Sequence, residues 1–261
     1  AVMATSFVTS CSARSEICRS RSARSRPSAV MRFWLMSTKV DRKIASTDAV
    51  VPRTTKVSST LINLVPRLID ATAGVVRVGG TDVRDLDPAV LRAEIGLVPQ
   101  RPYLFSGTVA SNLRYGKEDA TEAEMWEALE VAQAADFVRA MPDGLDTPIA
   151  QGGTTVSGGQ RQRLAIARAV IRRPAVYVFD DAFSALDLTT DARLRAALAP
   201  ITRESCVLVV AQRISTVRDA DRIVVLDDGR MVGTGTHDEL LETCPTYAEI
   251  VDSQRSAAGV S

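Results

Sequence analysis

Val156-Ser157-Gly158-Gly159-Gln160-Arg161-Gln162-Arg163 runs directly into Leu164-Ala165-Ile166-Ala167-Arg168-Ala169. A serine and two glycines stand here at the mouth of an amphipathic helix. Bare backbone N–H groups and the positive end of the helix dipole face any approaching anion at such a place. Taken alone, the segment reads equally well as a Gly-rich loop before a basic helix. Further along come Val178-Phe179-Asp180-Asp181 and then Ser184-Ala185-Leu186-Asp187. Ala175 to Phe179 is apolar at every position and follows Pro174, the pattern of a parallel strand buried on both faces. Two adjacent carboxylates at the exit of such a strand lie where ligands bind in α/β sheets. One can hold Mg²⁺ and the other can position a water. A simple cap on the next helix is the alternative reading of the pair.

Working outward, Val207 to Val210 and Ile223 to Leu226 read as further strands. Asp227-Asp228-Gly229 makes a turn, and Thr236-x-x-Glu239 caps a last helix. From about Ser253 the text reads as a frayed tail. On the N-terminal side, Ser59 to Leu68 predicts a helix with Leu61, Leu64, Val65 and Leu68 on one face. Gly74 to Val83 alternates around Gly79-Gly80, a hairpin signal. Asp87-Pro88 opens a short helix, and Glu94 to Pro99 is a short strand ending at Gln100. Residues 101–155 predict a mostly helical insert, with a capping box at Thr121-x-x-Glu124 and Met125, Ala128, Leu129 and Ala132 at helical spacing. Strands alternating with helices predict an α/β sheet.

The composition is that of an ordinary globular chain: 46% hydrophobic and 24% charged over 261 residues. A net charge of +1 gives no general attraction to nucleic acid or an anionic membrane. No run approaches the roughly 18 apolar residues of a membrane helix. The cysteines at 11, 18, 206 and 244 form no C-x-x-C pair, and His237 stands far from all of them, which argues against zinc and against a secreted disulfide scaffold. Cys206 opens an apolar run and reads as a small core residue. Residues 10–28 are biased to Ser and Arg with neither a period of 2 nor one of 3.6. A basic run from Arg14 to Arg26 without aromatic platforms is not a nucleic-acid site. The first residue, Ala1, points to a fragment.

Together these segments resemble the ATP-binding cassette (ABC) ATPase family. Val156 to Gln160 matches its signature loop, Asp180 the Walker B aspartate, and Ser184 to Asp187 the D-loop. Gln100, within Leu97-Val98-Pro99-Gln100-Arg101-Pro102-Tyr103-Leu104-Phe105, matches the Q-loop as exporters carry it. The resemblance runs in order from Ser58 to about Ile250. It implies a P-loop NTPase-like α/β fold, with a mostly parallel sheet core and a helical subdomain at about 101–172, truncated at its N-terminal β-region. The domain plan is then a Ser/Arg-rich segment at 1–57 that is non-homologous or disordered, the ATPase domain at 58–252, and a tail at 253–261. The resemblance also implies a pair of subunits with ATP and Mg²⁺ sandwiched between them. In that pair Ser59, Gln100 and Asp180 contact the metal. Ser59, Thr60, Gln100 and Asp187 touch the nucleotide, and Ser157, Gly158, Gly159 and Gln160 cap the partner's γ-phosphate. Asp181 and Gln212 take the catalytic positions. Closure moves the transmembrane domains of an exporter at the cytoplasmic face of the plasma membrane.

Three departures from the family follow. Its phosphate-binding loop, G-x-x-G-x-G-K-[ST], falls in register on Pro52 to Ser59. The glycines become Pro52, Thr55 and Val57, the lysine becomes Ser58, and only the hydroxyl of Ser59 survives. Side chains there obstruct the wrapping of N–H groups around a phosphate, and the lysine charge is lost. Lys56 lies two residues early, and Phe33-Trp34 is the aromatic pair nearest the place where an adenine platform belongs. An out-of-frame or fused segment up to about residue 57 accounts for both the lost loop and the Ser/Arg-rich text. Second, Asp181 stands where the family has glutamate, one methylene shorter. Third, Gln212 stands where the family has a switch histidine; it can donate a hydrogen bond but has no titratable proton. His237, at a helix start, reads as structural. Asp181 and Gln212 resemble the degenerate-site half of a heterodimeric exporter, which implies a different chain as second ATPase subunit. Two alternatives stand beside an exporter ATPase: a non-catalytic cassette lending its signature loop, and a non-functional fragment.

Overall fold

The computed structural model describes residues 2–6 and 57–258. Strand β1 (Val2–Ser6) is followed in the described chain by helix α1 (Val57–Asn63). Pro66 explains why α1 stops where it does, since proline lacks an N–H and its ring clashes with the carbonyl four residues back. The chain continues from Leu64 in turns, with Arg67 in the left-handed region at φ 51°. The expected helix to Leu68 is therefore too long, and its face is different. Leu61 and Leu68 are exposed, whereas Ile62 and Val65 are buried.

The hairpin of β2 (Arg77–Val78) and β3 (Thr81–Asp82) turns at Gly79 and Gly80, whose φ values of 60° and 84° call for glycine in a two-residue loop. Helix α2 (Pro88–Ala93) starts on Asp87, whose Oδ1 accepts from the N–H groups of Ala89 and Val90. Strand β4 (Ile95–Val98) follows. The insert is helical as expected, in α3 (Val109–Arg114), α4 (Glu122–Val131) and α5 (Ala135–Arg139). It also holds a two-stranded ladder of β5 (Gly107–Thr108) and β6 (Pro148–Ile149). The Thr121–Glu124 capping box is formed at the head of α4.

Helix α6 (Gly158–Val170) leads back to β7 (Val176–Asp180), which is buried at every position. Next come α7 (Leu188–Ile201), β8 (Cys206–Ala211), α8 (Ile214–Val217), β9 (Arg222–Asp227) and β10 (Arg230–Gly235). The described chain ends with α9 (His237–Thr243) and α10 (Pro245–Ala258). Helix α10 thus runs past Ser253, where a frayed tail was expected.

The main sheet has the order β10-β9-β1-β8-β7-β4. Strands β4, β7 and β8 are parallel neighbours, and β1 runs antiparallel to both β8 and β9. Both faces of β7 are covered, as its unbroken apolar run requires. Val176 and Val178 pack with Ile62, Val65, Leu91 and Leu208 on one side. Tyr177 and Phe179 pack with the helical insert, α6 and α7 on the other, their rings parallel with centroids 6.0 Å apart. Each fully buried side chain of this size stabilises the fold by roughly 2–3 kcal/mol relative to exposure. A third cluster joins α8, β9, α9 and α10 around Tyr247 and Val251. His237 is buried there, its Nδ1 2.8 Å from the Tyr247 hydroxyl, which agrees with a structural role. Cys206 lies in the core, where burial pushes its thiol up to about 12.

Among the described residues no helix is long and apolar enough to cross a membrane. The Ser/Arg-rich stretch, Pro52 to Lys56 and Phe33-Trp34 lie outside the described residues.

Candidate functional site

The parallel strands β4, β7 and β8 end side by side, and each delivers a polar residue to the same place. Strand β7 ends at Asp180, followed by Asp181; both are buried. Asp181 sits at φ 50°, a left-handed conformation that aspartate tolerates better than most residues. Its N–H donates to Val210 O at 2.8 Å, and its own carbonyl accepts from the Ser184 hydroxyl at 2.8 Å. The second carboxylate is thus fixed by its backbone at both ends and is not a helix cap. Capping falls to Asp187, whose Oδ1 accepts from the Thr190 N–H at 2.9 Å; that backbone hydrogen bond holds its carboxyl below the usual range.

Ser59, on the first turn of α1, donates from Oγ to Asp180 Oδ1 at 2.9 Å. Two hard oxygens from distant parts of the chain meet here, the donor chemistry that Mg²⁺ requires. Gln100, just beyond β4, donates from Nε2 to Asp181 Oδ2 at 2.9 Å. Gln212, just beyond β8, donates from Nε2 to the same oxygen at 2.8 Å. The sequence reading gave Gln212 a hydrogen-bond donor in the place of the switch histidine; in the structure that amide engages the neighbouring carboxylate. Ser59, Gln100, Asp180, Asp181 and Gln212 therefore form one cluster. Thr60 follows Ser59 on α1 and takes part in none of these bonds.

Ser58, in the register of the missing lysine, is 0% exposed, and its hydroxyl has no hydrogen-bond partner among the described residues. Its side chain is buried and, unlike a lysine, offers a phosphate no charge.

Ser157 to Gln160 form a second element. Ser157 N-caps α6, accepting from the Gln160 N–H at 3.2 Å while the Gln160 side chain accepts from the Ser157 N–H at 2.9 Å. Gly158 faces open space: a Cβ added there meets nothing within 4 Å. Gly159 lies against the turn after β7, where an added Cβ would stand 3.5 Å from Ala185 O. An exposed, capped helix mouth with bare backbone on its first turn is what the sequence led one to expect.

Three residues of the site escaped the sequence reading. Arg213 donates to Leu186 O at 3.2 Å and to Ser184 O at 3.3 Å. Arg195 pairs with buried Asp191 at 3.0 Å and donates to Ser215 O at 3.0 Å. Gln254 of α10 contacts the backbone on both sides of Arg213. Apart from the Arg195–Asp191 pair at helical spacing, these are long-range side-chain-to-backbone contacts, which leave no period or motif in the sequence.

Comparison with known proteins agrees with the fold. Residues 58–184 match the ABC transporter family model. The chain is 58% identical over 218 residues to an uncharacterized ABC transporter ATP-binding protein of Mycobacterium tuberculosis, covering 82% of this chain and 37% of that protein. It is 46% identical over 193 residues to the ATP-dependent lipid A-core flippase of Thiobacillus denitrificans, covering 74% and 33%. Among solved structures, a bacterial Atm1-family ABC exporter with ATP bound superposes with a TM-score of 0.73 at 36% identity, over 76% of this chain and 35% of that one. The chain thus spans about a third of the length of these relatives. The chain carries an ABC transporter ATP-binding domain whose relatives include exporters.

Proposed function

We propose that this chain is the ATP-binding and ATP-hydrolysing module of an exporter, working against a second ATPase subunit at the cytoplasmic face of the plasma membrane. The observation that carries this reading is the convergence of Ser59 and Asp180 beside Gln100, Asp181 and Gln212 at the ends of three parallel strands. Ser59 and Asp180 would hold Mg²⁺, which when bound would supply positive charge against the phosphates. Gln100 and Gln212 orient the Asp181 carboxylate toward the attacking water, and Thr60 lines the nucleotide at the head of α1. Ser157 to Gln160 cap the γ-phosphate of the nucleotide held by the other subunit, with Asp187 at the shared face.

Docking of transmembrane domains is supported by a cluster just beyond Gln100. Tyr103, Phe105 and Tyr115 are exposed yet packed on one another, with centroids 5.4 and 4.4 Å apart. Exposed aromatic patches of this kind mark interfaces.

A second reading, the cassette that lends its signature loop, is favoured by one pairing of observations. Asp181 Oδ2 accepts from two amides at once, and the residue in the lysine register is buried in the core. A short carboxylate held back in this way is a poor base, since misplacement by about 1 Å costs on the order of a hundredfold in rate. A different chain as partner follows, with its active site completed by Ser157 to Gln160.

Equilibrium binding of ATP to the intact chain, with and without Mg²⁺ and a candidate second subunit, separates the two. Saturable Mg²⁺-dependent binding to the chain alone supports the engine. Binding only in the partner's presence supports the lender, and no binding in either arm defeats both.

A further inference from the structure

Helix α10 sits on the third hydrophobic cluster through Tyr247 and Val251, which are 0% and 3% exposed. Gln254 lies one helical turn beyond Val251 on the same face. Its Nε2 donates to Gln212 O at 2.7 Å, and its Oε1 accepts from the Ile214 N–H at 2.9 Å. A glutamine amide carries one donor edge and one acceptor edge, so it fits a C=O and an N–H two residues apart as a neighbouring strand does. The N–H it takes belongs to the first turn of α8, whose N-cap residue Arg213 makes no side-chain cap.

The segment held in this way is tied elsewhere at Gln212, at Arg213 and, one residue on, at Ser215. The Gln212 amide reaches Asp181, Arg213 reaches the carbonyls of Ser184 and Leu186, and Ser215 O accepts from Arg195. A shift of the 212–214 backbone therefore moves both the amide on the candidate base and the guanidinium on the turn that leads to Asp187. We propose that Gln254 is a positioning residue for the ATP site: from α10 it sets the backbone of 212–214, and through it the placing of Asp181 and of the Ser184–Asp187 turn. The proposal rests on the reading that Asp181 and Gln212 act on ATP, and it adds the C-terminal helix as the element that holds them in register.

The test is residue-resolved hydrogen exchange on the intact chain and on three variants. Gln254→Ala removes both bonds. Gln254→Met keeps the bulk and helix propensity of the side chain without either bond, which covers the case in which the alanine variant folds poorly. Gln254→Glu keeps the acceptor for Ile214 and loses the donor for Gln212. The alanine and methionine variants should speed exchange of the Ile214 amide about tenfold, the loss of one hydrogen bond. The amides of Ser184 and Leu186 should exchange faster as well, with those of β7 and β8 unchanged. The glutamate variant should leave Ile214 protected. Native exchange at Ile214 in Gln254→Met overturns the proposal. Equal loss of protection across β7 and β8 also overturns it, by making Gln254 a general folding residue. ATP binding measured in parallel bears on the functional reading alone: its absence from every protein would sink that reading, and the exchange pattern would still decide the role of Gln254.

Discussion

Replacing Arg195 by methionine isolates what a buried carboxylate contributes when the arginine paired with it is removed. Asp191 is 1% exposed on the first turn of α7; one oxygen lies 3.0 Å from Arg195 Nε, and the other has no partner among the described residues. At an effective dielectric constant of about 20, two charges at this separation attract by about 5 kcal/mol. Desolvation of both groups offsets most of that gain, so the intact pair adds little net stability. Breaking it costs about 3–5 kcal/mol, because a buried charge is left uncompensated. The N-terminal dipole of α7 returns up to about 1 kcal/mol to the carboxylate. Loss of the bond to Ser215 O takes away about 1 kcal/mol. The expected destabilisation of Arg195→Met is therefore about 4 kcal/mol. In a domain of this size it should lower the thermal midpoint by roughly 8–16 °C. Urea titrations of the native chain, both single variants and the double variant Asp191→Asn with Arg195→Met give the cycle. Asp191→Asn should cost about 1 kcal/mol, and the double variant should recover about 2 kcal/mol of the Arg195→Met loss. A urea midpoint for Arg195→Met within about 0.5 kcal/mol of native, converted with a constant slope, would refute the reasoning.

Other outcomes follow from the same coordinates. Tyr177 is fully buried, its hydroxyl has no hydrogen-bond partner among the described residues, and burial pushes its phenol up to about 12; Tyr177→Phe keeps the ring and should be neutral or up to about 1–2 kcal/mol more stable by urea denaturation. The Cys206 thiol, raised by burial from 9.0 to about 12, binds its proton more tightly folded than unfolded, so its contribution is intact below pH 9 and is lost as pH rises toward 12. Chemical unfolding at stepped alkaline pH should show a flatter decline for Cys206→Val than for the native chain. Gly116 is boxed in, since an added Cβ would strike Arg168 O and lie 2.8 Å from Ile171 Cγ2. Gly116→Ala should destabilise the helical insert by about 1–3 kcal/mol, seen as faster exchange in α3 and α6.

Much of this architecture was legible where the physics is local. Gly79-Gly80 announced a turn because two successive positive φ values need it, and Asp87, Thr121, Ser157 and Thr236 announced helix starts because their side chains cap the first turn. The buried strand ending in Asp180-Asp181 followed from an unbroken apolar run. The end of α1 was misjudged because an apolar period was followed through Pro66. The holding of the site was illegible for a different reason: Arg195, Arg213 and Gln254 act on backbone groups far away in sequence, and a carbonyl acceptor has no residue identity to read. The Gln212 amide shows the limit most plainly. Its place beyond β8 was clear, but its choice of Asp181 as acceptor depends on two strand ends lying side by side.

The strand at the centre of the sheet bears on how the chain comes together. Strand β1 is the first described segment, yet Ser6 pairs with Val207 and Val2 with both Ala211 and Val225. Synthesis from the N-terminus therefore delivers this strand long before either neighbour exists. Until β8 and β9 have emerged, its backbone groups have no native partner, and the β10-β9 pair has no sheet to join. Closing so long a loop carries a large entropic cost before any pairing rewards it. Assembly is expected in two steps, with β4, β7, β8 and the helical insert forming early and the other edge of the sheet locking only when β1 inserts between β8 and β9.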